Sequence, residues 1–166
     1  MNDSKGPIIT IDSKLQRKIM GRFATGVTVV TTAGPGGMGG LTANAVASLS
    51  LDPPLVLVAV DKRAGSYPEI KANGCYAVNI LAADQEEISR RFATPGPKDF
   101  SGLAWNAVVT GAPVFAGTLG HVDCRLKEIL PGGDHDIFVG EIVAGDARDD
   151  GQPLLYFSGK YRQFQE

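Results

Sequence analysis

The chain has 166 residues, 43% of them hydrophobic and 20% charged, which is ordinary material for one globular domain. Its 16 basic and 18 acidic residues leave a net charge of -2, and so small a balance argues against the broad basic footprint that nucleic-acid backbones require. The densest apolar run, Leu55 to Val60, is far shorter than the roughly 20 residues a spanning helix needs, so no membrane residence is expected. Met1 to Lys5 leads into no apolar stretch, so no secretory signal is expected. Cys75 and Cys124 lie far apart in apolar runs and match no metal spacing. They read as two buried free thiols, which points to a reduced, cytoplasmic compartment.

The first predicted element is a helix over Ser13–Phe23, capped by Asp12, with Leu15, Ile19, Met20 and Phe23 on one face. A strand follows over Gly26–Thr32. The run Gly34-Pro35-Gly36-Gly37-Met38-Gly39 then satisfies G-x-G-x-x-G, and Asp61 follows at about the distance a dinucleotide fold requires. That fold also needs a helix to open at the third glycine. Instead Leu41, Ala43, Ala45, Ala47, Leu49 and Leu51 alternate with Thr42, Asn44, Val46, Ser48 and Ser50. Period 2 is a strand pattern, so Leu41–Leu51 is expected as one strand and the glycines as a flexible hairpin loop. Thr42, Asn44, Ser48 and Ser50 would then stand in a row, about 6–7 Å apart. Such a row suits a flat, polar-edged ligand, and it equally suits a solvated strand face.

Leu55–Val60 is the next strand, followed by Asp61-Lys62-Arg63-Ala64-Gly65-Ser66. Ser66 and Glu69 have capping-box spacing, with Pro68 in the first helical turn where it is tolerated. Two cations before a helix start make either a monophosphate site or a solvated charged turn. A strand is expected over Tyr76–Leu81. Asp84 with Glu87 gives an acidic cap before a helix carrying Ile88 and Phe92, and Ala93–Gly102, with Pro95-Gly96-Pro97, is expected as a surface loop. Strands over Gly120–Ile129 and Ile137–Ala144 enclose Gly132-Gly133-Asp134-His135-Asp136. A histidine between carboxylates in such a turn can hold one tautomer and act as acid, base or hydrogen-bond donor, or it can be a surface turn residue. A metal site is not expected, since His121 and Asp123 sit on another strand and no third ligand is supplied. Leu154–Phe157 is the last strand. Short strands with a few helices outside them predict a mainly β fold closing into a small barrel. No nucleophile elbow, Walker A, H-E-x-x-H or C-x-x-C motif is present.

Taken in order, Phe23–Thr32, Leu41–Ala45, Ser48–Val56, Tyr76–Leu81, Gly133-Asp134-His135 and Pro153–Phe157 resemble the short-chain flavin reductases that serve two-component flavin-dependent monooxygenases. The resemblance runs from about Ile19 to Phe164 and implies one flavin reductase-like domain over residues 1–166, core about 19–164. It implies an FMN-binding split β-barrel with flanking helices, usually a homodimer. The implied chemistry is hydride transfer from NADH or NADPH to FMN or FAD, with reduced flavin leaving for a partner monooxygenase.

Carried over residue by residue, Thr42, Ala43, Asn44, Ala45, Ser48, Leu49 and Ser50 would line the isoalloxazine and ribityl chain. Asp61, Lys62, Arg63 and Ser66 would take the ribityl end and phosphate. Phe92 and Lys98 match a flavin-proximal stretch. His135 would sit beside the nicotinamide, with Tyr161 near it. Ala45 stands where the family commonly has serine, which removes one side-chain hydrogen bond to flavin. A non-catalytic flavin-binding or electron-transfer protein of the same barrel type is the alternative, and the Gly133-Asp134-His135 motif favours the reductase.

Overall fold

In the computed structural model, which describes residues 11–164, the chain order is α1 (Ser13–Met20), β1 (Thr25–Gly26), β2 (Thr28–Gly34), β3 (Gly37–Ala43), β4 (Val46–Leu51), β5 (Pro54–Asp61), α2 (Ser66–Asn73) and β6 (Cys75–Ile80). It continues with α3 (Glu86–Ala93), β7 (Trp105–Ala107), β8 (Pro113–Phe115), β9 (Gly120–Gly132), β10 (His135–Ala147), β11 (Leu155–Phe157) and β12 (Lys160–Arg162). Seven strands form the main sheet in the order β3-β2-β6-β9-β10-β5-β4, every neighbouring pair antiparallel. β1, β11 and β12 make a small second sheet, and β7 pairs with β8.

The strand order itself demonstrates closure. β3 and β4 are opposite edges of the sheet, yet only Asn44 and Ala45 connect them. Flat, seven strands would put those edges about 29 Å apart, and two linking residues span at most about 11 Å. The sheet must curl until its edges meet, and Ala59 N–H donates to Ala45 O at 2.9 Å, carrying the β4–β5 ladder into the linking residues. Register shifts in the β9–β10 ladder, one that leaves Lys127 of β9 unpaired and one that leaves Val143 of β10 unpaired, are the bulges that such curvature uses. No ladder joins β3 to β4, so the barrel is split there.

This geometry corrects the expectation of one strand over Leu41–Leu51. The inward-facing parity switches at the crossing from one edge to the other: Leu41 and Ala43 of β3 pack on the core, but in β4 Val46 does so and Leu49 and Leu51 are exposed, so Thr42 and Ser48 share neither a strand nor an alternation. The glycine run is a hairpin, as expected, with Gly34 opposite Gly37. Its later glycines belong to β3 and serve packing. A Cβ on Gly40 would sit 2.9 Å from the Phe92 ring, and one on Gly39 would overlap the Glu69 carboxylate. Bare backbone at these two positions lets α2 and α3 lie directly on β3.

Helix boundaries also shift. α1 has the predicted cap, Leu15 N–H donating to Asp12 Oδ1 at 2.7 Å, but it ends at Met20. Ser66 is the first residue of α2 rather than its cap, and Gly65 precedes it without a side-chain cap bond. Asp84 does not cap α3. It lies in a short 3-10 turn, where Gln85 Oε1 accepts from Ala82 N–H at 3.0 Å.

One core cluster fills the barrel under α2 with Val30, Val56, Val58, Ile70, Tyr76 and Phe138. A second, with Val29, Leu81, Phe92, Phe115 and Leu154, lies between the sheet and α3. β2 is therefore covered on both faces, which explains why Thr28–Thr32 is buried throughout. Its buried hydroxyls are satisfied: Thr28 Oγ1 donates to Ala43 O and Thr32 Oγ1 to Cys75 O, both at 2.7 Å. Asn79 on β6 pins the β7–β8 hairpin by accepting from Phe115 N–H at 2.8 Å and donating to Pro113 O.

Candidate functional site: a cleft beside a histidine turn

A cleft of about 550 Å³ opens outside the barrel where β3, the β5–α2 connection and the segment after α3 converge. Gly40, Leu41 and Thr42 form its floor. Asp61, Arg63 and Ser66 make one wall, and Phe92, Thr94, Pro95, Gly96 and Lys98 make the other. A smaller annex of about 220 Å³ adjoins it, sharing Thr42 and Ala93 and adding Asn44, Tyr156 and Tyr161. The cleft's volume is in the usual range for small-molecule sites.

Each wall residue is fixed by local structure. Ser66 Oγ accepts from Gly40 N–H at 2.8 Å and donates to Gly40 O at 2.7 Å, so the buried hydroxyl bolts the start of α2 to β3. Asp61 accepts from the Arg63 backbone N–H and, in a fork, from Nε and Nη2 at 3.1 and 2.8 Å. Those hydrogen bonds and the guanidinium charge hold the Asp61 carboxyl far below the usual carboxylate range. Arg63 remains largely exposed at the cleft rim.

Across the cleft, Lys98 Nζ closes onto Thr94 O. Partial burial lowers the Lys98 pKa, and Glu69 opposes the shift. Thr42 Oγ1 donates to Ser89 O at 2.6 Å. Ser89 Oγ bonds Tyr161 Oη at 2.8 Å, and the Arg90 guanidinium stacks 4.8 Å above the Tyr161 ring.

The histidine turn adjoins the Asp61 wall. His135 begins β10 and pairs directly with Asp61 of β5. Its Nδ1 lies 2.7 Å from Asp134 Oδ1, and this contact holds the Asp134 carboxyl below its ordinary value. A carboxylate partner favours Nδ1–H, leaving Nε2 as acceptor in the neutral ring.

The structure thus brings Thr42, Asp61, Arg63, Ser66, Phe92 and Lys98 into one cleft, with Asn44 and Tyr161 in its annex. Other predicted residues lie elsewhere. Ala43 is buried in the barrel core, and Ala45 presents its carbonyl to Ala59 N–H. Ser48 lines an apolar groove that shares Asn44 with the annex, and Leu49 and Ser50 continue β4. Lys62 turns away from the cleft: its Nζ donates to Gly133 O at 2.8 Å and pairs with Asp136 at 3.2 Å. His135 meets Asp61, whereas Tyr161 belongs to the annex.

Thr94, Pro95 and Gly96 were not expected as cleft residues. The flanking pair Phe92 and Lys98 was the available signal, because a stretch that begins and ends at a site carries its middle there too. Cys75 and Cys124 are buried free thiols, and burial pushes the Cys124 thiol up to about 12. Among the described residues, no three His, Cys, Asp or Glu side chains gather as a metal site, and no helix is long and apolar enough to cross a membrane.

Comparison with known proteins places this geometry in context. The chain is 42% identical over 147 residues to the FMN reductase (NADH) RutF 2 of Rhizobium rhizogenes, covering 87% of this chain and 85% of that one. It is 36% identical over 151 residues to HsaB of Rhodococcus jostii, the reductase subunit of a flavin-dependent monooxygenase, covering 91% and 77%. The NADH:FAD oxidoreductase SgcE6 of Streptomyces globisporus, solved with NAD and FAD fragments, superposes with a TM-score of 0.87 at 37% identity, covering 95% of this chain and 97% of that one. Residues 20–165 match the family described as the flavin reductase like domain, and the chain belongs to that family.

Proposed function

We propose that the chain is a flavin reductase that passes hydride from NADH or NADPH to FMN or FAD, acting as a single domain over its length. The relatives named as NADH-dependent FMN or FAD reductases support the chemistry. The observation that carries the site is the cleft itself, which gathers Thr42, Arg63, Ser66 and Lys98 from three separate stretches beside the histidine turn.

The residues present fit a flavin mononucleotide moiety. Arg63 and Lys98 supply cationic donors on opposite walls, and the start of α2 adds the positive end of a helix dipole for the phosphate. Thr42, Phe92 and the backbone of Gly40–Leu41 offer a floor for the ring and ribityl chain. Ala43 backs that floor from the barrel core, while Ala45, Ser48, Leu49 and Ser50 lie outside the cleft. Bound flavin supplies a ring that accepts hydride from a reduced nicotinamide. The protein's task is then to hold both rings in register and exclude other geometries, which explains why no acid–base triad is needed. His135, with Nδ1–H on Asp134, offers Nε2 to the nicotinamide carboxamide and orients it. Asp61 keeps Arg63 in place, and Lys62 holds the histidine turn.

A homodimer fits the exposed apolar side chains of α1 and the open groove lined by Val46, Val56, Val78, Ile80, Val122 and Ile142. Relatives named as reductase subunits of monooxygenases support a partner oxygenase that consumes reduced flavin. Two buried free thiols suit a cytoplasmic setting. The test is an absorbance spectrum of the purified protein with FMN or FAD under anaerobic conditions. Loss of the yellow flavin band on adding NADH is expected. Flavin that binds and stays oxidised would mark a carrier instead of a reductase.

A further inference from the structure

The His135 turn is a two-residue hairpin tip between β9 and β10, with Gly133 in a left-handed conformation (φ 81°). Such a tip is mobile unless another segment holds it. Here the β5–α2 connection does so. Lys62 N–H donates to Asp134 O at 3.1 Å, and Lys62 Nζ donates to Gly133 O at 2.8 Å. The same ammonium pairs with Asp136 Oδ1 at 3.2 Å, while Tyr67 Oη donates to Asp136 Oδ2 at 2.6 Å. Tyr67 is itself fixed edge-on against Phe138, their ring centroids 5.2 Å apart. Asp136 is nearly buried and lines neither the cleft nor its annex.

Consecutive strand residues point to opposite faces. Asp136 therefore anchors β10 from the side of α2 and the core, while His135 stands on the face shared with its ladder partner Asp61. The carboxylate ties together the two segments on which the proposed reaction depends: the β5–α2 connection that carries Arg63 and Ser66, and the turn that carries His135.

The geometry points to Asp136 as a positioning residue for hydride transfer, which acts by holding Lys62 and Tyr67 so that the His135 turn is set at a fixed place beside the cleft. This rests on the reading of His135 as the group that orients the nicotinamide. Asp136 touches neither flavin nor nicotinamide, and its effect passes through His135.

A double-mutant cycle on the purified full chain separates this role from a general loss of structure. FMN affinity is measured by fluorescence titration, and the reduction rate by anaerobic stopped flow with NADH. Asp136→Asn keeps the side-chain size and is expected to slow reduction about 5-fold, with the FMN dissociation constant within about 2-fold of wild type. Tyr67→Phe keeps the ring on Phe138 and is expected to slow reduction about 2- to 3-fold, giving a second test should Asp136→Asn fold poorly. In a His135→Ala background, either substitution should change reduction by less than about 2-fold, because the group being positioned is gone. Equal effects in both backgrounds would overturn the inference, as would an unaltered rate in the native background. His135→Ala that reduces flavin at the wild-type rate would remove the nicotinamide reading and this inference together. A slow His135→Ala with unaffected Asp136→Asn and Tyr67→Phe would remove only the inference.

Discussion

Two regions of the molecule handle their exposed groups in opposite ways. At the end of β5 and the start of β10, polar groups pair within the chain: Arg63 with Asp61, Lys62 with Asp136, and the His135 ring with Asp134 through a hydrogen bond. On the other side, α1 leaves its apolar residues in solvent. Ile19 and Met20 are 52% and 59% exposed, Phe23 just beyond the helix is 70% exposed, and no residue of α1 is buried. Beside Phe23 lies an open apolar groove of about 540 Å³. An eight-residue helix has little stability of its own, and among the described residues the apolar side of α1 has little packing. The first region is geometrically complete in one protomer. The second is left open among the described residues, and a second copy is the occupant proposed above.

The largest effect expected from this contrast is on assembly. Charging the apolar side in the double variant Ile19→Asp, Phe23→Asp should weaken a symmetric dimer through both copies at once, by about 4 kcal/mol or roughly 1,000-fold. Light scattering should then show the variant near the mass of one chain at micromolar concentration and the wild type near twice that mass. A monomeric wild type would break the comparison.

The paired region should respond through the ligand instead. Arg63→Glu places a like charge beside Asp61 and at the cleft rim, and should weaken FMN binding by about 2–3 kcal/mol, or roughly 30- to 150-fold. Assembly should be unchanged. FMN titration with unaltered affinity would mean that the phosphate is held elsewhere.

Next comes the cleft floor. Gly40→Ala drives a Cβ to 2.9 Å from both the Phe92 ring and Val30 O, and should cost about 1–3 kcal/mol of stability in a chemical denaturation experiment. An undiminished midpoint would mean that α3 is free to move off β3.

The smallest effect is on acid sensitivity. The Tyr67 hydroxyl and, after it, Lys62 hold the Asp136 carboxyl below its ordinary value. A depressed folded-state pKa contributes stability above the unfolded value of about 3.9, and that contribution is lost as pH falls through the folded value. The melting temperature of Asp136→Asn should therefore lie below that of wild type at neutral pH, and the gap should narrow on acidification below about pH 4. A gap that widens in acid would contradict this assignment.

How much of this was legible beforehand follows from what periodicity encodes. Leu55–Val60 and Tyr76–Leu81 are dense apolar runs and emerge as β5 and β6 in the barrel wall. Leu41–Leu51 misled because sequence alternation reports neither the neighbouring strand nor, across a crossing, which parity faces inward. The chain crosses from one sheet edge to the other at Asn44-Ala45, and the inward parity switches there: Leu41 and Ala43 of β3 and Val46 of β4 reach the core, while Leu49 and Leu51 are exposed. The hydroxyl row divides for the same reason: Thr42 bonds Ser89 O on the cleft side, while Asn44, which bonds Thr25, and Ser48 line the apolar groove.

The capping-box spacing of Ser66 and Glu69 was equally real and equally local. A non-local partner, the Gly40 backbone, takes the Ser66 hydroxyl instead. β7, β8 and β12 are three residues each, too short for a pattern to register, and β8 is held through Asn79. Lys62 shows the limit most clearly. Nothing in Asp61-Lys62-Arg63 distinguishes the cation at the cleft from the one that faces Asp136, because that depends on which strand lies alongside.

The most direct test of the central claim is anaerobic stopped-flow reduction of bound FMN by NADH in wild type and His135→Ala, with FMN affinity measured in parallel. The cleft and the histidine turn are separate segments, so the two quantities should separate. The reduction rate should fall about 5- to 30-fold, corresponding to one lost orienting hydrogen bond of about 1–2 kcal/mol, while FMN affinity stays near that of wild type. An unchanged reduction rate, or lost FMN binding with reduction otherwise intact, would place His135 in the scaffold and contradict the account.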